Sequence, residues 1–151
     1  KALFGAGCFW GVEETFRKIH GVVKTEVGYA GGITNNPSYE SVCMGDTNHA
    51  EVVLIEYDEK KISFLNLLEN FWQCHNPTTL NRQGPDVGTQ YRSVIFYFNE
   101  EQKKISGISK IEYAKKNNLN VVTEIVKATN YFKAEEYHQK YIQKTGQYCS
   151  T

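Results

Sequence analysis

The chain lacks any net charge: 17 Lys plus Arg balance 17 Asp plus Glu across its 151 residues. Without an excess of either sign it sets up no long-range field to gather nucleic acid or an anionic membrane. No apolar run approaches the ~20 residues that a membrane-spanning helix needs, and no signal-peptide pattern opens the chain. The four cysteines, Cys8, Cys43, Cys74 and Cys149, include no C-x-x-C pair. Structural zinc is held by close-spaced ligand pairs, so no metal site is expected. A secreted disulfide scaffold is shorter and richer in cysteine, which leaves free or redox-active thiols in a reducing, cytoplasmic setting. Repeats, linkers and low-complexity segments are missing too. With 40% apolar and 23% charged residues, the expectation is a single domain over 1–151, long enough to close a core without staples.

What is present is organised around Gly5-Ala6-Gly7-Cys8-Phe9-Trp10-Gly11. The apolar run Ala2 to Phe4 reads as a strand leading in. Val12 to Ile19 reads as a helix leading out, with Glu13 and Glu14 in its first turn. Cys8 is thereby expected where a strand ends and a helix begins, with unpaired backbone N–H groups near its sulfur. Such a place favours a thiolate over a thiol. A buried structural cysteine is the plainer alternative, but three glycines and two aromatics around the thiol favour a reactive site.

Further along, Val22 to Ala30 reads as a second strand closed by Gly31-Gly32, and residues 33–48 carry turn chemistry. Ala50 to Tyr57 is a third strand, with Glu51, Val53, Ile55 and Tyr57 on one face. After Ser63, the apolar residues Phe64, Leu67, Leu68, Phe71 and Trp72 recur at helical spacing until His75-Asn76-Pro77. Residues 78–92 form a polar loop of a length that is usually functional or disordered. Ser93 to Phe98 is a fourth strand, and Asn99-x-x-Gln102 resembles a capping box for a helix reaching Asn118. Val121 to Val126 reads as a fifth strand, and Ala134 to Lys144 as a last helix before a mobile tail carrying Cys149. This order predicts an α+β two-layer sandwich: a mixed sheet packed by helices, with a ferredoxin-like βαββαβ core and an added strand and helix.

Three chemistries compete for these residues. Gly5-x-Gly7-x-x-x-Gly11 partly matches a dinucleotide loop, with Glu26 near the place of a ribose-binding acid. Phe9 and Trp10, however, put bulk where backbone must approach a pyrophosphate. A cysteine hydrolase needs a base, and spacing singles out none of His20, His49, His75 and His138. A thiol peroxidase needs only an activated cysteine and a resolving one. Glu51, on an otherwise apolar strand, is expected to be partly buried; desolvation then keeps it protonated and able to donate. Tyr39, Asp86 and Tyr91 stand in the two polar loops, where side chains converge on sites.

Gly7-Cys8-Phe9-Trp10-Gly11-Val12-Glu13 resembles the signature of the A-type peptide methionine sulfoxide reductases. Gly28-Tyr29-Ala30-Gly31-Gly32, Gly45-Asp46-Thr47-x-His49-Ala50-Glu51 and Gly88-Thr89-Gln90-Tyr91-Arg92-Ser93 extend the likeness over nearly the whole chain, in order. The resemblance implies reduction of methionine-S-sulfoxide, free or in proteins, with Cys8 as nucleophile and Glu51 as the acid that protonates the departing oxygen. It implies that Tyr39 and Tyr91 hold that oxygen, that Asp86 is a further polar group, and that Phe9 and Trp10 wall a methyl pocket. Cys149 is similar to the resolving cysteine that condenses with a Cys8 sulfenic acid, and thioredoxin or a dithiol then reduces the disulfide. No cofactor or metal is implied, and the protein is expected to be a monomer. Cys43 and Cys74 read as structural.

Energetics limit the helix end. A thiol with pKa near 8.5 is only about 3% ionised at pH 7, and half ionisation takes roughly 2 kcal/mol. A helix N-terminus supplies about 0.3–1 kcal/mol, ~2 at best. A protonated sulfoxide, made electrophilic by the acid, supplies the rest.

Overall fold

The computed structural model describes residues 1–147. Its elements are β1 (Ala2–Ala6), α1 (Phe9–Arg17), β2 (Val22–Ala30), α2 (Tyr39–Cys43), β3 (Ala50–Tyr57), α3 (Phe64–Gln73), β4 (Arg82–Gln83), β5 (Asp86–Val87), β6 (Ser93–Tyr97), α4 (Glu100–Asn117), β7 (Glu124–Lys127), β8 (Tyr131–Lys133) and α5 (Tyr141–Thr145). Single 3-10 turns lie at Thr89–Tyr91 and Glu136–His138. The fold is mixed α+β, built on a six-stranded sheet in the order β7-β6-β1-β3-β2-β8. The β6–β7 pair is parallel and the other pairs of that sheet are antiparallel. The chain runs from β1 through α1 to β2, with β3 lying between them, and from β3 through α3 to β6, with β1 between.

The twofold repeat of a strand divides its side chains between two faces. Ala2, Phe4, Val27, Val53, Ile55 and Ile95 face the helices, while Leu3, Ala30, Val52, Val94 and Phe96 gather on the other side. Phe4 is the hub of the helical side, its ring 5.6, 6.0 and 5.0 Å from those of Phe16, Phe64 and Phe71. Side chains of this size each contribute about 1.5–3 kcal/mol when fully buried. Trp72 ties α3 to α4, its indole N–H donating to Ser109 Oγ at 2.8 Å and its ring stacked on Tyr113.

Several local expectations shift. Helix α1 begins three residues before Val12, so Glu13 and Glu14 are not in its first turn. Glu13 is buried, accepting from the Thr25 hydroxyl at 2.8 Å and the Lys140 N–H at 2.6 Å. Asn99 does cap α4, its side chain accepting the Gln102 N–H at 2.8 Å. The reciprocal half of the box is displaced by one residue, because Gln102 Oε1 takes the Phe98 N–H at 3.0 Å. The turn-rich stretch 33–48 holds α2, closed by a Ser38–Ser41 capping box. The 78–92 loop holds the small β4–β5 hairpin. The fifth strand runs Glu124–Lys127, three residues beyond the expected start.

The expected helix over 134–144 is broken into pieces, for a definite reason. Gln139 turns its amide onto β2: Oε1 accepts the Val27 N–H at 2.8 Å, and Nε2 donates to Val27 O at 2.9 Å and Ala134 O at 3.0 Å. Lys140 then takes φ +52°, a left-handed conformation that no right-handed helix continues through. Just upstream, β8 lies so close to β2 that a Cβ on Gly28 would stand 2.5 Å from Phe132 O. The site sits where these pieces meet the ends of β1 and β2 and the starts of β3 and β6.

Candidate active site

Cys8 is the N-cap of α1 and is half-buried. Gly7 makes the turn into it with φ +97°, packed so tightly that a Cβ would meet Gln83 Cγ at 2.8 Å. A cavity of about 280 Å3 opens beside the thiol position, lined by Cys8, Gly11, Cys74, His75 and Gln83. Cys8 is disulfide-bonded, whereas Cys43 and Cys74 are free thiols. Cys149, the expected resolving residue, lies outside the described residues.

Glu51 pairs with Tyr29 across β2–β3 and is 2% exposed. Its Oε1 accepts the N–H of Phe9 at 3.2 Å, so one of the helix-end donors expected near the sulfur is committed to this carboxyl. Its Oε2 is buried with no hydrogen-bond partner among the described residues. Burial pushes the carboxyl pKa up to about 8; the Phe9 N–H opposes the shift and the negative charge of Asp86 adds to it. At neutral pH a carboxyl with so raised a pKa is mostly protonated, with a proton to give.

Two phenols and a carboxyl surround it. Burial raises the pKa of Tyr39 far above the ordinary phenol value, and that of Tyr91 to about 12, with the charge of Glu51 adding in both cases. Both therefore remain hydrogen-bond donors. Asp86 is half-buried, its pKa raised by burial. Glu51, Tyr39, Tyr91 and Asp86, from four separate stretches of chain, stand close enough to influence one another's ionisation, and Glu51 links them to the residue after Cys8.

The aromatic side is tightly built. Phe9 is 1% exposed, its ring 5.7 Å from Tyr29, 6.3 Å from Tyr39 and 5.2 Å from His138. Trp10 stays half-buried, stacked on Tyr141 at 4.0 Å between centroids and donating its indole N–H to His138 Nδ1 at 2.9 Å. Burial lowers the pKa of His138, which fits the neutral ring that this bond requires. Phe9 thus backs the site as core while Trp10 offers the accessible edge.

Other histidines serve the frame. His49 joins Gly32 N–H and Thr34 O across its loop. His75 bonds Phe71 O and Ser93 Oγ, its pKa driven down to about 4 by burial. His20 is exposed. Burial pushes the Cys74 thiol up to about 12, in keeping with a packed structural residue. Cys43 is exposed on α2 and shares a face with Tyr39, each affecting the other's ionisation. Among the described residues no group of three or more His, Cys, Asp or Glu is placed to hold a metal ion, and no helix is long and apolar enough to cross a membrane.

Glu135 carries no sequence signal yet holds the site together. Its two oxygens accept the Tyr29 hydroxyl at 2.8 Å and the Tyr39 N–H at 2.9 Å. Burial opposes its ionisation, but these bonds outweigh it and leave the pKa below the usual carboxylate value. The strand–turn pieces that replaced the expected helix are what deliver Glu135 and His138.

The sequence profile of the peptide methionine sulfoxide reductase family matches residues 1–151. The chain belongs to that family. A peptide methionine sulfoxide reductase of Lactuca sativa is 55% identical over 147 residues, covering 97% of this chain and 57% of that protein. The chain therefore spans little more than half the length of this relative. A Methanosarcina acetivorans peptide methionine sulfoxide reductase MsrA is 56% identical, over 97% of this chain and 79% of its own. Among solved structures, reduced Mxr1 of Saccharomyces cerevisiae superposes with a TM-score of 0.94 at 39% identity, covering 99% of this chain and 87% of that one. The same yeast protein in complex with Trx2 gives a TM-score of 0.66 at 26% identity, covering 93% and 82%.

Proposed function

We propose that this chain reduces methionine-S-sulfoxide, free or in proteins, to methionine by thiol chemistry at Cys8. The observation that carries the reading is the buried Glu51 carboxyl, bonded to the N–H of the residue after Cys8, where burial favours its protonated form. The sulfoxide oxygen is received by Glu51 and the Tyr39 and Tyr91 hydroxyls, with Asp86 as a further polar neighbour, and the methyl group lies against Trp10 and Phe9. The Cys8 thiolate attacks sulfur as Glu51 gives its proton to oxygen. The hydroxyl so formed then moves to the Cys8 sulfur as its bond to the substrate sulfur and the new S–S bond break, methionine leaves with the S–S electron pair, and Cys8 is left as a sulfenic acid. The sulfoxide is reduced by two electrons and Cys8 is oxidised by two.

A second thiol then condenses with the sulfenic acid, releasing water and forming a disulfide. Cys149 is the proposed partner, eight residues beyond Tyr141 in the sequence. Thioredoxin or a dithiol returns both thiols, a reading supported by the yeast relative's complex with Trx2. No metal or organic cofactor takes part, and 1–151 acts as one domain and as a monomer. The strand order β6-β1-β3-β2 with its two helical crossovers favours a ferredoxin-like core. The free thiols of Cys43 and Cys74 fit a reducing compartment such as the cytoplasm.

The test is turnover of a methyl sulfoxide with dithiothreitol by Cys8→Ser. Loss of all turnover is expected; retained activity overturns the assignment.

A further inference from the structure

We propose that Met44 is a redox-modification site of this protein, and that its S-sulfoxide is a substrate for the Cys8 centre of a second copy. The inference rests on the reductase reading above.

Met44 is the only methionine in the sequence, and it is 75% exposed. It caps the C-terminus of α2, and Cys43, Met44, Gly45 and Asp46 are all exposed. Gly45 continues with φ +83° and has nothing within 4 Å of where a Cβ would stand, so the thioether projects from an open turn. A peroxide reaching this sulfur transfers one oxygen to it and leaves as water. In a core, the polar product disrupts packing. Here the sulfur has little burial to lose, and the fold tolerates either form.

Geometry decides which copy repairs it. Tyr39, at the start of α2, turns inward, its ring facing Phe9, Trp10 and His138. At roughly 100° per residue, Cys43 returns close to that face, as its coupling with Tyr39 reflects. Met44 lies one residue further, about 140° from Tyr39 around the same helix. With the residue 75% exposed, its thioether stands in solvent, where the site of another molecule can take it. The repair step is that of the proposed reaction: oxygen passes from the Met44 sulfoxide to the other copy's Cys8, whose sulfenic acid an added dithiol reduces with release of water.

The experiment uses Cys8→Ser, which cannot reduce itself, treated with hydrogen peroxide and freed of excess oxidant. Peptide mass mapping is expected to show one added oxygen on the Met44 peptide. Active Met44→Leu protein and dithiothreitol are then added. About half of the Met44 sulfoxide should disappear, since peroxide makes both epimers and each reductase type accepts one. The rate should scale with the concentration of the active protein. Cys8→Ala serves as a second acceptor chain should the serine variant misfold. A parallel tube with a free methyl sulfoxide separates two failures. If the free substrate is consumed while Met44 sulfoxide persists, the inference is overturned and the proposed function stands. If both persist, both fall. Met44 that stays unoxidised in peroxide overturns the inference directly.

Discussion

Glu51 on β3 accepts the backbone N–H of Phe9 at 3.2 Å, which joins the proton source to the helix start bearing Cys8. In Glu51→Gln the amide oxygen can still accept that N–H, but the acidic proton is gone. Reduction of a methyl sulfoxide is expected to fall about 10²–10⁴-fold. Alkylation of reduced Cys8 by iodoacetamide should change far less. Equal losses in the two assays would mean that Glu51 activates the thiol or supports the fold instead.

The same burial predicts a pH signature. The Glu51 carboxyl titrates near 8 in the folded protein against 4.5 when unperturbed. Between those values the unfolded chain has released its proton and the folded chain has not, so rising pH removes stability. The contribution is complete below the unfolded pKa and lost as pH climbs to about 8. Melting temperature of the wild type should therefore decline over this window more than that of Glu51→Gln. Activity should also fall above about pH 8 as the acid form disappears. Parallel melting curves for the two proteins would refute the raised pKa.

Tyr39→Phe and Tyr91→Phe each remove one donor while keeping a ring. Hydrogen bonds to a group that develops charge are worth about 1.5–3 kcal/mol, so each change is expected to slow turnover about 10- to 100-fold. Tyr39→Phe should leave the melting temperature nearly unchanged, because its contacts with Phe9 and Trp10 are made by the ring. A loss of stability with unaltered turnover would assign the hydroxyl to the frame.

Gln139→Ala tests the clamp on β2. It removes three hydrogen bonds and strands the buried N–H of Val27, whose carbonyl keeps the Ala134 N–H at 3.0 Å. The cost is expected to be about 2–4 kcal/mol in urea unfolding, with reduced activity as Glu135 and His138 lose their support. A change within about 0.5 kcal/mol, the range of ordinary surface substitutions, would show that the clamp is dispensable.

The sheet was readable because its pattern is local. Strands over Val22 to Ala30 and Ala50 to Tyr57 coincide with the observed spans, and the alternation that put Glu51, Val53 and Ile55 on one face is the face that meets the helices. Cys8 at a strand–helix junction and a buried Glu51 were equally legible. Residues 131–139 were not, since their shape is set by partners some hundred positions away: Val27 for Gln139, Tyr29 and Tyr39 for Glu135, Trp10 for His138. Periodicity reports neighbours along the chain and is silent about such bonds. The capping of α4 shows the same limit on a small scale, with Gln102 correctly placed yet bonded one residue early.

The sheet ends in β7, four residues long, on one side and β8, three residues long, on the other, and each finishes in an exposed lysine. A long bare margin would invite any partly unfolded chain to add itself as another strand. A protein proposed to handle oxidised, loosened polypeptides meets such chains at close range. Borders this brief and charged let it touch a damaged side chain without becoming a seed for aggregation.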